Sequence, residues 1–284
     1  MDPEIISKLD LDTILIKFYV ELRKQNGKMY TKSAFRSVRH GIQRKFKSIR
    51  NIDIINDPEF VQSENAFTAQ CVVLKKKGLA KVEHKPPISD TDMKKLYSST
   101  VFSIDQPKSL LRKVFFELML FLCRRGQENL RLLTKSSFVV KKDENNMEYI
   151  IRNIDELDKN HRENDINCDG GVIIATGKEN CPVKSFKLYL EKLNPKLEAL
   201  FQRPKANAPS HGPWFDGQVL GIKSLEKLMK EISIDAGLSI SYTNHSIRAT
   251  CITLLDDAGN ESRHIMSVSG HKSESSICSY SKTK

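Results

Sequence analysis

Long apolar runs, paired cysteines and a signal-like start are all missing from this sequence. No stretch of the 284 residues approaches the roughly 18 to 20 apolar residues of a membrane span. The first residues, MDPEIISKLDLD, are acidic and polar, which is not typical of a secretion signal. The six cysteines are scattered without a CxxC pair or a disulfide framework. We therefore expect free thiols in a reducing compartment, no structural zinc and no membrane.

Histidine pairs at metal-ligand spacing are absent as well. No pair follows HxxxH or HExxH. A metalloenzyme built on these side chains is the weakest of the enzyme hypotheses, and we expect no metal and no other cofactor. The histidines considered for it are His161, His211, His245, His264 and His271.

Positive charge is in excess. The chain has 46 Lys plus Arg against 35 Asp plus Glu, a formal net charge of +11. Such a balance indicates a polyanionic partner, either nucleic acid or an anionic membrane surface. Since nothing else in the sequence points to a membrane, we predict that the partner is nucleic acid.

Residues 1–82 are predicted to form a helical domain. Apolar positions recur at intervals of three and four in LDTILIKFYVEL and in SAFRSVRHGIQRKF. A third helix ends in a run of lysines before Gly78, a typical stop. Pro86 and Pro87 place an interdomain linker at residues 83–90, and Ser89 or Asp90 can cap the next helix. The second domain then covers residues 91–284.

The first domain carries two groups of cations that are candidates for binding DNA phosphates. The alternatives are a solvated basic face for the first group and a favourable helix-dipole interaction for the second. The two groups are Arg36, Arg39, Arg44, Lys45 and Lys47 on the second helix and Lys75, Lys76 and Lys77 at the end of the third.

The second domain is predicted to begin with helices, after which the spacing of the apolar residues changes from helical to strand-like. The segment LLRKVFFELMLFLCRRGQENLRLL is apolar on nearly all sides and should be buried, with Arg124 and Arg125 at its end and Glu128 one turn on. A guanidinium there must be paired or bind an anion, and a plain Arg125–Glu128 pair is the structural alternative.

A small antiparallel sheet is predicted from SSFVVKKDENNMEYIIRN and GGVIIAT, which read as three short strands. Two more helices follow, separated by PKANAPSHGPWFDG, which reads as a loop. The fold class is therefore mainly α with a small antiparallel β-sheet (α+β).

The final forty residues hold several groups that suit phosphate chemistry. His245 and Arg248 stand one turn apart at the predicted start of a helix, which Thr243 or Asn244 can cap, so both could meet one anion. His271 follows a glycine turn, and Tyr280 lies nine residues later among serines. An HxxR pair is common by chance, and a surface tyrosine is the alternative for Tyr280.

Taken in order, these motifs resemble those of tyrosine recombinases of the phage-integrase type. The set is R-G-x-E-x-L from Arg125, HxxR from His245, Gly-His at His271 and the tyrosine nine residues on, and it spans most of residues 90–284. ELRKQNGKMYTKSAFRSV and SGHKSESSICSYSK are similar to the eukaryotic Crypton-type branch, which includes domains of zinc finger MYM-type and glutamine-rich proteins. The resemblance implies a helical core-binding (SAM-like) domain followed by a catalytic domain.

The resemblance also implies a role for each residue. Arg125 and Arg248 would hold the non-bridging oxygens of the scissile phosphate, and Tyr280 would attack it to form a 3′-phosphotyrosyl link. His245 would be the assisting base and His271 a hydrogen-bond donor to the phosphate. A lysine from a β-hairpin protonates the leaving oxygen, and Lys159 is the candidate by position.

For that last role, Lys141, Lys142 and Lys178 lie in comparable turns and stay as alternatives. The resemblance further implies that the partner is double-stranded DNA, that there is no small-molecule substrate, and that the two basic domains would form a C-shaped clamp around the duplex.

The function that the resemblance implies is DNA strand breakage and rejoining by a site-specific recombinase or integrase encoded by a mobile element. If the chain is eukaryotic, as the resemblance to the Crypton-type branch suggests, it would act in the nucleus. The alternative is a host-adopted DNA-binding or chromatin-associated protein that keeps the fold without catalysis. A type IB topoisomerase shares the chemistry, but the compact layout argues against it. Family members usually continue past the tyrosine into a tail that packs on a neighbour, and four residues follow Tyr280, so a homotetramer on DNA is left open.

Overall fold

The computed structural model describes residues 5–81, 85–126, 129–153, 170–277 and Tyr280. Within these ranges the chain is mainly helical, with two small sheets. The helices are α1 (Lys8–Glu21), α2 (Lys32–Arg50), α3 (Val61–Lys76), α4 (Asp90–Ser98), α5 (Pro107–Phe121), α6 (Pro182–Lys192), α7 (Ile222–Asp235), α8 (Asn244–Asp257), α9 (Ser262–Ser269) and α10 (Glu274–Ile277). The strands are β1 (Phe138–Lys142), β2 (Glu148–Arg152), β3 (Ile173–Ile174), β4 (Gln202–Pro204) and β5 (Phe215–Val219).

The chain divides into two compact units, Met1–Glu83 and His84–Lys284. Each unit has its own cluster of buried apolar side chains. Among the described helices, none has both the length and the apolar character needed to cross a bilayer.

An aromatic cluster holds the three helices of the first unit together. The rings of Phe35 in α2 and Phe67 in α3 stack at 4.7 Å, and Tyr19 of α1 meets both edge-on. Ser7 caps α1 and Thr31 caps α2 through side-chain oxygens. Stacked and edge-on ring pairs stabilise beyond their area burial, so this contact fixes the packing of α1, α2 and α3.

Helix α5 is the centre of the second unit, and every residue from Leu110 to Leu120 is buried. The burial includes charged residues, which the apolar appearance of the segment did not predict. Lys113 and Glu117 form an ion pair of 2.8 Å at side-chain exposures of 1% and 3%, and Arg112 pairs with Asp235 at 2.6 Å. Pairing within the core is needed because an unpaired buried charge is costly.

Helix α5 ends earlier than the sequence predicted, which corrects the expected position of Arg124 and Arg125. The helix stops at Phe121, and Cys123 takes a left-handed conformation with a φ of 46°. The amide of Arg124 then donates to the Met119 carbonyl at 3.1 Å and that of Cys123 donates to Leu120 at 3.2 Å. This is a Schellman motif, which turns the chain out of the helix so that Arg125 lies in the following loop.

Two antiparallel sheets complete the second unit. The first has the order β1-β2-β3, with Val140 opposite Ile150 and Ile150 opposite Ile173. The second, β4 with β5, was missed by the sequence interpretation, which read the segment between α6 and α7 as a loop. Strand β4 ends at the first residue of that stretch, Pro204, and β5 begins within it at Phe215; such short strands leave little periodic signal.

Candidate active site

The guanidinium of Arg248 lies at the junction of three chain segments. Its side chain is buried on the second turn of α8, as expected for a helix that begins at Asn244 with Thr243 as N-cap. Nη1 donates to the carbonyl oxygen of Cys123, and Nη2 donates to that of Ser269. Arg248 therefore ties α8 both to the loop after α5 and to the end of α9.

Asn244 makes a second connection between α8 and the loop after α5. Its side chain is 2% exposed, and its Nδ2 donates to the carbonyls of Gly126 at 2.9 Å and Leu225 at 2.8 Å. Its Oδ1 accepts from the Met229 amide at 3.2 Å. With three polar partners satisfied, this buried amide fixes the start of α8 against Arg125 and its neighbours.

Gly126 permits the close approach of these two segments. A Cβ added at this position would lie 3.0 Å from the His245 amide nitrogen and 3.1 Å from the carbonyl carbon of Asn244. These are backbone atoms of a capped helix, so they cannot move aside easily. Glycine therefore lets the loop residue after Arg125 pack directly on the HxxR segment, and a Cβ there would require the backbone of that segment to shift.

His271 lies within reach of both arginines. Gly270, with a φ of 66°, ends α9 and turns the chain back, so that the His271 Nδ1 lies 2.8 Å from the Ser269 hydroxyl and 3.3 Å from Arg248 Nη2. Burial and the positive charges of Arg248 and Arg125 lower the pKa of His271 to about 4. The ring is therefore neutral at neutral pH and can donate only one N–H.

Tyr280 packs beside His271. The two ring centroids are 6.1 Å apart with an interplanar angle of 56°, and the Tyr280 amide donates to the Ile277 carbonyl at 2.8 Å. Residues 272–276 are exposed, whereas Tyr280 is half-buried against the core of the second unit. It is not the freely exposed tyrosine of the alternative interpretation.

The structure thus brings Arg125, Arg248, His271 and Tyr280 to one place, with exposed His245 on the first turn of α8 beside Gly126. Two guanidiniums, a neutral imidazole and a phenol can together bind a phosphodiester and offer it a nucleophile.

Two of the predicted groups cannot be placed in this set. Lys159 and Glu128 both lie outside the described residues. Of the alternative lysines, Lys141 and Lys142 are exposed on β1, and Lys178 is exposed between β3 and α6.

Most of the cations proposed for DNA binding are exposed. They are Arg36, Arg44, Lys45 and Lys47 on α2 and Lys75, Lys76 and Lys77 at the end of α3.

Arg39 departs from this prediction. It is 6% exposed, it pairs with Glu64, and its guanidinium lies 4.3 Å from the Phe67 ring centroid. Because its charge is neutralised within the first unit, Arg39 has a structural role there.

A groove between α2 and α3 collects further basic groups that the sequence interpretation missed. It has a volume of about 440 Å³ and is lined in part by Lys32, Arg36, His40 and Lys75. Lys32, Arg36 and His40 are spaced by four residues on α2, which places them on one helix face. That spacing is the signal by which Lys32 and His40 could have been found.

No metal site is formed by the side chains that the structure describes. Within those ranges, no three His, Cys, Asp or Glu residues are grouped so that they could hold a metal ion.

Comparison with known proteins gives structural matches alone. No protein-family profile matches the chain, and no curated protein matches it. The solved structure of the XerH site-specific recombinase bound to palindromic difH substrate, a post-cleavage complex, matches with a TM-score of 0.50 at 15% identity. The match covers 97% of this chain and 69% of that one.

Two further solved structures are similar at slightly lower scores. The Tn1549 transposon integrase in complex with circular intermediate DNA has a TM-score of 0.49 at 12% identity, covering 100% of this chain and 83% of that chain. A lambda integrase dimer bound to a COC′ core site has a TM-score of 0.47 at 12% identity, covering 99% and 81%.

The match with XerH identifies the fold. The α+β class predicted from the sequence is confirmed, and the chain has a tyrosine-recombinase-like fold.

We predict that Asn244→Ala destabilises the second unit. The change removes three hydrogen bonds and leaves buried polar groups of Gly126, Leu225 and Met229 without that partner, which should lower the free energy of unfolding by about 2–4 kcal/mol. Urea denaturation measures this. Asn260→Ala is the control, because Asn260 is exposed and its side chain donates to the Leu255 carbonyl at 2.9 Å; it should cost under about 1 kcal/mol. Equal effects of the two variants would contradict the prediction.

We also predict that His271 stays neutral down to about pH 5 and that Arg125→Gln raises its pKa from about 4 toward the ordinary 6.5. Removal of a nearby cation makes the protonated ring less unfavourable. Since the folded state depresses this pKa, the contribution of His271 to stability is full above about pH 6.5 and is lost as the pH falls toward 4.

Histidine side-chain NMR across a pH series measures this titration. Arg203→Gln, at an exposed position of β4, is the control and should leave the His271 pKa unchanged. Titration of His271 near 6.5 in the unaltered protein would show that the buried, doubly cationic environment is wrong.

Proposed function

We propose that this chain binds duplex DNA and breaks and rejoins its strands through a 3′-phosphotyrosyl intermediate on Tyr280. The observation that carries the proposal is the convergence of Arg125, Arg248 and Tyr280 on His271, whose ring contacts that of Tyr280. The fold shared with a site-specific recombinase supports the same assignment.

The proposed reaction begins with phosphate binding. Arg125 and Arg248 donate to the non-bridging oxygens, and their hold tightens as negative charge develops in the pentacoordinate transition state. Arg248 suits this task because two backbone carbonyls already orient its guanidinium, so little reorganisation is needed when the substrate binds.

The nucleophile is the Tyr280 oxygen. It attacks the phosphorus, the bond from phosphorus to the 5′-oxygen breaks, and the phenol proton passes to His245 as the assisting base. The leaving 5′-oxygen takes a proton from Lys159, a role that rests on the resemblance alone. Attack by a 5′-hydroxyl reverses these steps and rejoins a strand, so the bond energy is conserved in the phosphotyrosine.

DNA affinity in this proposal comes mainly from phosphate contacts. The exposed cations on α2 and at the end of α3, together with the groove that contains Arg36 and Lys75, form the proposed contact surface of the first unit. The mobile-element origin, the relation to the Crypton-type branch, the nuclear location and assembly as a homotetramer on DNA belong to the same proposal and rest on the motif resemblance.

We predict a covalent protein–DNA adduct on nicked suicide duplexes. In such a library each member loses its cleaved 5′ fragment by diffusion, so the adduct accumulates and survives denaturation. Tyr280→Phe should abolish the adduct, because the nucleophilic oxygen is gone, while Tyr149→Phe, on strand β2, should retain it. Arg125→Gln should slow adduct formation by about 100-fold or more, since one phosphate clamp is lost.

Gel electrophoresis under denaturing conditions measures the adduct. DNA binding without any adduct would replace this proposal with a catalytically silent DNA-binding protein. An adduct that persists in Tyr280→Phe would place the nucleophile elsewhere.

We further predict that DNA affinity falls steeply with salt. Arg36→Gln and Lys75→Gln should each reduce the slope of log binding constant against log salt concentration by about 0.9, as one phosphate contact is removed. Lys17→Gln, an exposed change on α1, should leave the slope unchanged. Fluorescence anisotropy at several salt concentrations measures the slopes.

In the same salt-dependence measurements, Arg39→Gln tests whether a buried arginine of α2 stabilises the protein instead of contacting DNA. It should lower the melting temperature of the protein with little effect on the slope, because Arg39 is paired with Glu64 inside the first unit. Salt-independent binding by the unaltered protein would exclude the phosphate-dominated interface.

A further inference from the structure

A buried serine hydroxyl contacts the imidazole of the candidate site. Ser269 is the last residue of α9 and is 4% exposed, and its Oγ lies 2.8 Å from the His271 Nδ1. The contact depends on Gly270, whose left-handed φ of 66° reverses the chain so that the side chains on either side of it meet.

Position 269 is one at which an apolar residue would be expected. Ile265, four residues earlier on α9, is buried in the core of the second unit, and residues four apart share a helix face. A hydroxyl at such a position must find a hydrogen-bond partner to offset its desolvation. That partner is His271. Because an apolar residue would fill this position equally well, the contact with His271 indicates that the hydroxyl has a role beyond packing.

The groups around the ring favour one tautomer. A guanidinium can only donate, and Arg248 Nη2 lies 3.3 Å from Nδ1 of His271. If Nδ1 is unprotonated, it accepts both from this donor and from the Ser269 hydroxyl. If Nδ1 carried the proton, the arginine N–H would point at another N–H.

The arginine by itself does not select between the ring nitrogens. The same Nη2 lies 3.5 Å from Nε2 of His271, only slightly farther than from Nδ1. The serine contact is with Nδ1 alone. A hydroxyl can donate to a bare nitrogen or accept from a protonated one, so the serine contact and the slightly nearer arginine donor together favour a bare Nδ1.

We propose that Ser269 is a positioning residue whose hydroxyl donates to Nδ1 of His271 and so holds the ring proton on Nε2. An Nε2–H is then available as a donor to a non-bridging oxygen of the bound phosphate, a role that rests on the proposed function. The position of the proton itself does not depend on that function and is measurable without DNA.

The first experiment is nitrogen-15 NMR of the full chain labelled at its histidines, with His271 assigned as the signal pair lost in His271→Gln. Near neutral pH we expect the unaltered protein to show a protonated Nε2 and a bare Nδ1. Ser269→Ala should shift both signals toward a mixture of tautomers, and Ser269→Thr, which keeps the hydroxyl, should restore them. Ser267→Ala, an exposed serine on the same helix, is the control and should change neither signal.

Two spectral results would overturn the proposal. One is a proton on Nδ1 in the unaltered protein. The other is an unchanged His271 spectrum in Ser269→Ala, which would assign the tautomer to Arg248.

The second experiment measures single-turnover cleavage of the suicide duplex. Ser269→Ala should slow adduct formation by about three- to tenfold with unchanged DNA affinity, because part of the population carries the proton on the wrong nitrogen. Ser269→Thr should recover the rate. A normal rate in Ser269→Ala despite an altered tautomer would refute the role toward phosphate.

The two experiments separate the two proposals. If the unaltered protein forms no adduct at all, the proposed function fails, whereas the spectra still decide whether Ser269 sets the tautomer.

Discussion

The buried guanidinium of Arg248 is the interaction on which the candidate site depends. By donating to the carbonyls of Cys123 and Ser269, it joins α8 to two segments that are far apart in the sequence. One of these segments leads to Arg125, and the other leads to His271. A planar group with five donors suits this role, since it can hold two carbonyls and still present N–H groups to an anion. The same side chain therefore acts as a structural connection and as the proposed phosphate clamp.

Unusual backbone geometry makes these connections possible. The left-handed conformation of Cys123 ends α5 and points its carbonyl at Arg248. Gly126 then packs on the start of α8 so closely that an added Cβ would lie 3.0 Å from the His245 amide nitrogen. Gly270 likewise takes a left-handed conformation at the end of α9, and this turn places the His271 ring within hydrogen-bond distance of the Ser269 hydroxyl. In each case a helix ends abruptly just before a residue of the site, so rigid helices position side chains that themselves lie in loops.

In the first unit, Arg36 and Arg39 show that position decides the role of a charged residue. They lie three residues apart on α2 and both line the groove between α2 and α3, yet Arg36 is exposed whereas Arg39 is buried and paired with Glu64 over the Phe67 ring. The difference arises because α2 packs its Phe35 and Arg39 side chains on α1 and α3. The row of basic residues that the sequence predicts on α2 therefore includes both buried and exposed side chains.

The sequence by itself determined the helical periodicity of the first unit, the predominance of α-helix, the three-stranded sheet and the motifs around Arg125, Arg248, His271 and Tyr280, because each of these is a local pattern. It could not determine that Arg39 is buried, that α5 ends at Phe121, that β4 and β5 pair, or that Ser269 and Asn244 support the site. Most of those outcomes depend on contacts between residues that are distant in the chain. The end of α5 depends on the left-handed conformation of Cys123, a conformation that the sequence usually signals with a glycine. Only the tertiary structure decided them, because the free energy of a buried hydrogen bond or ion pair depends on which partners the fold brings within reach.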